Sequence, residues 1–231
     1  MDSLQPSPTD LIKVLEGYWI GTSELETGGG GRTPFTARFD DGLERQGWGK
    51  RNISISKLVD GKPITRVRGH EIDMFAVASD EDPYPGIGCE MEWNNKDPFY
   101  DRDLLNFQAL HHEGVLAVGI IVTRGPGLQR WLERAIWNQD YTPKYGKSTT
   151  HWNKLVPRVN LGGGGECPLI LVGIEAARVT GRELHDEVVA ELDAIEDFRR
   201  NWRDRGFDKW SDAKREYTLR RKRQIDRLHD R

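Results

Sequence analysis

The chain has 231 residues, 36% hydrophobic and 31% charged, which suits one globular domain of generous size, or a core with a small appendage. Its 34 Lys and Arg against 37 Asp and Glu give a formal net charge of -3, so the total does not mark a nucleic-acid binder, although local basic faces remain open. No apolar run reaches membrane-spanning length, Met1-Asp2-Ser3 begins no secretory leader, and Cys89 and Cys167 fit free thiols in a reducing cytoplasm, with no His at zinc-ligand spacing.

Residues 1–9 read as a tail and Asp10 to Tyr18 as a short amphipathic helix ending near Gly17 or Gly21. Gly28 to Gly31 is a flexible loop without the Lys and helix of a phosphate-binding loop. Phe39 to Gln46 is expected to form a helix beside the sheet, ended by Gly47-Trp48. Glu44 on it is either a third acid near a metal or a surface charge. Asn52 to Leu58 alternates apolar and polar residues as a strand does, and Asp60-Gly61 marks a hairpin turn into Ile64 to Val67.

His70 to Phe75 reads as the next strand, and Ser79 to Gly86 is a turn cluster of Asp, Pro and Gly. The strand after it carries Glu90 and Glu92, whose spacing of two puts both carboxylates on one face, with Cys89, Met91 and Trp93 on the other. Paired acids on a core strand repel one another, and burying them unpaired is costly. Either the strand is an edge whose glutamates meet water, Lys and Arg, or a divalent cation such as Mg²⁺ or Mn²⁺ neutralises them. Asp73 lies on a strand able to pair antiparallel with this one, and Asp followed by Glu-x-Glu is a set that holds a metal against a phosphate. Asp101-Arg102-Asp103 opens a helix with acids in its first turn, and Leu104, Phe107 and Leu110 follow at helical spacing. Val115 to Thr123 is a continuous apolar run, expected to be a strand buried on both faces.

Residues 127–160 read as irregular, polar and aromatic. Gly146-Lys147-Ser148 is not a phosphate-binding loop, because the required first glycine falls at Tyr141. Gly162 to Gly165 turns the chain into an expected buried strand, Leu169 to Ile174. From Arg182 a helix is expected, with seven acids between Glu183 and Asp197 on its outer face. Lys214 to Arg231 then carries eight Lys or Arg and three acids, a basic segment that touches a DNA backbone, lies at a dimer interface or is simply solvated.

The run from Ile72-Asp73 through Glu90-Met91-Glu92-Trp93-Asn94-Asn95-Lys96-Asp97-Pro98-Phe99 and Arg102-Asp103-Leu104 to Gly119-Ile120-Ile121-Val122-Thr123-Arg124 resembles the BglII/BamHI group of type II restriction endonucleases. Tyr145 to His151, then Gly162 to Pro168 and the strand after it, extend the resemblance from about residue 30 to about residue 180. It implies the PD-(D/E)-x-K nuclease fold, an α/β (α+β) core with a central mixed β-sheet flanked by helices. The family's metal-binding Asp and Glu match Asp73 and Glu90, and Glu92 stands where many relatives carry Lys, as a carboxylate that either binds a second metal or accepts a proton from the attacking water. The carbonyl of Met91 is a further implied ligand. Asp82 with Glu92 and Asn94 is a second register of the same motif. Asp73 is preferred because its strand context is apolar. Lys96 shares the parity of the glutamates if the strand runs that far, and so contacts a phosphate or supports catalysis, or else is a solvated strand end.

The resemblance implies a Mg²⁺-dependent restriction endonuclease of the cytoplasm, with Asp73, Glu90 and Glu92 catalytic. It cuts double-stranded DNA at a short palindrome, leaves 5′-phosphate and 3′-hydroxyl ends, and acts as a homodimer. The whole chain is then one endonuclease domain, with a catalytic core of about 35–125 with 160–180, a recognition insertion at 127–160 and a helical segment at 182–231. DNA contacts are expected from Lys144, Lys147 and Arg158 to phosphates, and from Ser148, Thr149, Thr150 and His151 to bases. The alternatives are a non-catalytic DNA-binding protein of this fold, a structure-specific or repair nuclease, or a structural or metabolic protein.

Overall fold

Asp60 and Gly61 have φ of 48° and 75°, the left-handed pair that a two-residue hairpin turn requires. They join the two longest strands of this computed structural model, which describes residues 7–27 and 31–230. In chain order its elements are α1 (Pro8–Glu16), β1 (Ile20–Gly21), α2 (Thr22–Glu26), α3 (Pro34–Glu44), β2 (Gly49–Val59), β3 (Lys62–Ala76), β4 (Gly86–Glu92), α4 (Phe99–His112), β5 (Leu116–Arg124), α5 (Pro126–Ala135), α6 (Trp152–Asn160), β6 (Leu169–Ile174), β7 (Val179–Thr180), α7 (Glu183–Arg200) and α8 (Trp210–His229). Most of the expected tail, residues 1–6, and Gly28 to Gly30 of the expected loop lie outside the described residues.

The chain divides into two compact units. One holds α1, α3, β2 to β5, α4, α6 and β6; the other holds β1, α2, α5 from Gly127 on, β7, α7 and α8. The expected insertion at 127–160 is shared between them, up to Lys147 in the second and from Ser148 in the first.

The first unit is built on a five-stranded mixed sheet in the order β2-β3-β4-β5-β6. β2, β3 and β4 pair antiparallel, while β4, β5 and β6 pair parallel. This is the mixed sheet with flanking helices that the sequence leads one to expect. The edge-strand reading of Glu90 and Glu92 is corrected, because β4 is the central strand. The strands read as Ile64–Val67 and His70–Phe75 are one strand, β3. Leu169–Ile174 forms β6 as expected, but at the sheet's edge and only half-buried, with Ile170 42% exposed.

Helix α4 crosses the sheet with Tyr100, Leu104, Phe107 and Leu110 turned inward. They meet Ile72, Phe75, Leu116 and Ile121, and Leu155 and Cys167 complete this core. Burying each such side chain contributes roughly 1.5–3 kcal/mol before chain entropy is subtracted. Gly88 and Gly119 face each other on β4 and β5, and Phe107 covers both. Helix α3 is capped by the Thr33 hydroxyl, which accepts the Thr36 amide, and starts at Pro34 rather than Phe39. α1 likewise starts at Pro8, because Pro suits the first helical turn and the Asp10 carboxylate accepts the Ser7 amide at 2.6 Å.

In the second unit α7 and α8 pack through Val188, Leu192, Ile195 and Leu228, with Trp137, Leu184 and Tyr217 against them. Residues 127–160 are not irregular as expected: α5 buries Leu128, Trp131, Leu132 and Ala135 at helical spacing, and α6 follows later. Among the described residues no helix is long and apolar enough to cross a membrane.

Candidate active site

The register of β4 decides what surrounds its two glutamates. Met74 pairs with Cys89 across β3 and β4, so the next step brings Asp73 opposite Glu90. Opposite residues in an antiparallel pair share a face. The Asp73 amide donates to Glu90 Oε1 at 3.3 Å. On the parallel side Glu90 registers with Ile121 and Glu92 with Thr123. The Thr123 hydroxyl donates to the Glu92 carbonyl at 2.8 Å and shares a 2.6 Å hydrogen bond with Tyr100, which fixes the strand's end.

Helix α4 runs back over this strand and adds an acid. Four helical residues advance about 6 Å and two strand residues about 6.6 Å. With Phe107 seated on Gly88, Asp103 one turn earlier comes over the glutamates. Glu90, Glu92 and Asp103 are only 4%, 3% and 1% exposed. Arg102 donates to Asp103 Oδ1 at 2.6 Å and reaches Glu92 Oε1 at 3.4 Å, while the Asn95 amide donates to Glu92 Oε2 at 2.8 Å. Glu90 has no cationic partner among the described residues.

The acids feel one another. Burial, then the charges of Asp73 and Asp103, hold the Glu90 carboxyl well above the usual carboxylate range. Burial and Asp103 raise Glu92 as well. Asp103 is itself raised, by burial first, although Arg102 pulls it back. Asp40 of α3 is pushed up to about 6 by burial; Arg32 pulls it back down, while Asp73 and Glu44 add to the push. Asp40 bonds Arg32 Nε at 2.8 Å. Lys50 lies 4.0 Å from Asp73 and bonds Glu71 more closely, at 2.7 Å.

Five carboxylates, Asp40, Asp73, Glu90, Glu92 and Asp103, therefore share a field that Arg32, Lys50 and Arg102 only partly neutralise. Among the described residues no three acids, histidines or cysteines form a ready-made ion cage. The donor set nevertheless fits a divalent cation. It is all oxygen, its buried Glu90 has no ion-pair partner among the described residues, and burial first, then mutual repulsion, disfavours the charged forms of Glu90, Glu92 and Asp103, a cost that a hard cation relieves.

The other expected residues are distributed as follows. Glu44 ends α3 and is exposed, acting on Asp40 only through its charge. Asp82 is exposed in a turn, its amide bonded to the Ser79 hydroxyl. β4 ends at Glu92, so the parity argument does not extend to Lys96, which is exposed and bridges to Thr149. That bridge matters, because the Thr150 amide donates to the Asn95 carbonyl at 2.9 Å and the Asp97 amide to the Ser148 carbonyl at 3.2 Å. The 148–150 segment is thus tied to the loop that follows the glutamates. Arg124, wholly buried at the end of β5, holds it from beneath. It donates to the Thr150 carbonyl and the Thr149 hydroxyl, both at 2.6 Å.

Ser148 and Lys147 are exposed and Thr149 partly so, whereas Thr150 and His151 are buried. Arg158 is engaged with Asp101 and Asp97, at 2.8 and 3.5 Å. Lys144, in the second unit, donates to the carbonyls of Leu25 and Thr27.

Sequence reasoning assigned no chemistry to Asp103 and Asp40. The signal for Asp103 is an acid in phase with Tyr100, Phe107 and Leu110 on a helix's apolar face. For Asp40 it is an acid one turn before Glu44, flanked by Phe39 and Leu43.

The family described as "Restriction endonuclease BglII/BglIII" matches residues 5–174. The match includes all five acids and the whole five-stranded sheet, and ends before α7. No curated protein matches the chain.

Proposed function

The chain belongs to the BglII/BglIII family of restriction endonucleases, a type II site-specific deoxyribonuclease with a restriction-endonuclease-like fold. On that premise we propose that Asp73, Glu90 and Glu92 are its PD-(D/E)-x-K cutting centre, working with Mg²⁺, or Mn²⁺ in its place. The observation that carries this reading is Glu90, buried on the central strand beside Asp73 and Asp103, with no ion-pair partner among the described residues.

Asp73, Glu90 and the Met91 carbonyl are the residues to hold the ion. When bound, it supplies Lewis-acid stabilisation of charge building on the phosphate and on the leaving oxygen. Glu92 takes the proton of the attacking water. Its raised carboxyl makes its deprotonated form a stronger base than that of an ordinary glutamate. Asp103 sustains that rise, and Arg102 with Asn95 holds the side chain in place. Cutting leaves 5′-phosphate and 3′-hydroxyl ends.

The exposed edge of the 147–149 segment, tied to the loop after Glu92, is the DNA-reading element of the first choice. Lys147 meets phosphates, and Ser148 and Thr149 meet base edges. A palindromic site calls for two copies related by a two-fold axis, so the working form is a homodimer in the cytoplasm, each copy cutting one strand.

The test is digestion of unmethylated phage DNA in Mg²⁺ and in EDTA, with end-labelling of the products. Discrete fragments that need Mg²⁺ and carry 5′-phosphates are expected. A Mg²⁺-dependent smear identifies a nuclease without site choice, and retarded but uncut DNA identifies a binder.

A further inference from the structure

Helix α8 lies wholly beyond the family match and carries seven Lys or Arg against three acids. It packs on α7, which carries seven acids and two arginines, so neutralisation between the two helices is the first expectation. The ion pairs fall otherwise. Glu187 and Glu191 both go to Arg227, near the end of α8, at 3.5 and 2.8 Å. Asp186 goes to Arg182, Asp193 to Arg134, Glu196 to Arg199 and Asp197 to Arg205. Of the acids on α8, Glu216 goes to Arg220 and Asp226 accepts the Tyr141 hydroxyl.

Lys214, Arg215, Arg221, Lys222 and Arg223 are left without an ion pair among the described residues. All but the half-buried Arg221 are exposed. Two of the five are held in direction by aromatic rings, Arg221 at 4.6 Å over Trp137 and Lys222 at 4.8 Å over Tyr141. Ten helical residues span about 14 Å, a length over which duplex DNA presents about eight phosphates.

From this placement we infer that the exposed side of α8 carrying Arg215, Lys222 and Arg223, with Lys214 at its margin, is a phosphate-backbone contact for double-stranded DNA, in addition to the cutting centre. It rests on the nuclease reading for its choice of polyanion. It contacts backbone and not bases, so it raises affinity for any duplex and gives no sequence choice. Arg220 and Arg227, whose charges are already answered, do not take part.

The experiment is fluorescence anisotropy of the full chain on a random-sequence duplex of about 20 base pairs, in EDTA, between 50 and 200 mM salt. The proteins are wild type, the quadruple variant K214Q/R215Q/K222Q/R223Q and the control R220Q/R227Q. Each lost phosphate contact lowers the slope of log affinity against log salt by about 0.9, so the quadruple variant, which removes the three contacts on the exposed side, is expected to lose about 3 units and the control less than one. The single substitutions of Arg215, Lys222 and Arg223, each expected to lose about 0.9, give the same answer if the quadruple variant folds poorly. An unchanged slope in the quadruple variant, or an equal loss in the control, overturns the inference. Wild-type protein that cuts DNA while the variants keep its slope leaves the nuclease reading standing. Wild type that neither binds nor cuts removes both.

Discussion

Gly119→Ala tests the packing that brings α4 over the acids. A Cβ at this position would stand 2.4 Å from Phe107 Cδ2 and 2.8 Å from Cγ, far inside van der Waals contact. The Phe107 ring is fully buried and has no open space to swing into, so the helix or the sheet must move. Overpacking of this kind costs about 1–3 kcal/mol. Replacing a strand glycine returns about 0.4–1 kcal/mol by restricting the unfolded chain. The net loss is about 1–2 kcal/mol, and a chain of this length loses about 2–4 °C of Tm per kcal/mol, giving a drop of about 2–8 °C. Because Asp103 lies one turn from Phe107, the same shift moves Asp103 and Arg102 relative to Glu90 and Glu92, so cutting falls along with stability. The assay is thermal and urea unfolding of Gly119→Ala, Phe107→Leu and the double variant. The smaller side chain makes room, so the double variant should be more stable than the sum of the single losses by about 1 kcal/mol. A Gly119→Ala protein as stable as wild type, or a cycle additive within about 0.3–0.5 kcal/mol, would refute the reasoning.

The Asp40 carboxyl is raised from its ordinary 3.8 to about 6, so its stabilising contribution is full below pH 3.8 and is lost as pH rises through about 6. That difference corresponds to about 3 kcal/mol, and screening by solvent on the Arg32 side leaves about 2. Asp40→Asn should therefore gain on wild type, in metal-free unfolding, by about that much between pH 4 and 7, and a constant difference across this range would contradict it. Arg124→Met leaves the buried Thr150 carbonyl without its charged donor, at about 1.5–3 kcal/mol. Amide exchange at Thr150 should quicken more than elsewhere in the sheet, and unchanged protection there would show that Arg124 is not the latch. Glu92→Gln removes the proposed proton acceptor and should slow cutting about 10²- to 10⁴-fold while flattening the pH–rate profile. A slow variant with the wild-type profile would assign the base elsewhere.

Strand parity put Glu90 and Glu92 on one face of β4, because a spacing of two does so whatever the tertiary fold, and the hairpin before it put Asp73 on the neighbouring strand. The apolar run of β5 was legible for the same local reason. Asp103 was not, since its partnership with the glutamates depends on where α4 lands, and that is set by Phe107 meeting Gly88 and Gly119 across three elements. Asp40 reaches the cluster only through the packing of α3. The helices within 127–160 were hidden by composition. α5 keeps Leu128, Trp131, Leu132 and Ala135 in phase, but Pro126-Gly127 and the aromatic, polar residues beyond obscure that period. Thr150 and His151 look like surface readers by residue type, yet the Arg124 hydrogen bonds draw that backbone inward. β6 shows the converse, an apolar run at a sheet edge.

Plasmid cleavage in Mg²⁺ by wild type and Glu90→Gln, with duplex binding followed on the same samples, tests the central claim most directly. The substitution keeps the shape of the side chain and removes the carboxylate that has no ion-pair partner among the described residues. Cutting should fall by about 100- to 1000-fold or more, with duplex binding equal or tighter because a negative charge near the phosphates is gone. Glu90→Gln that cuts at the wild-type rate would contradict the assignment of this acid cluster as the cutting centre.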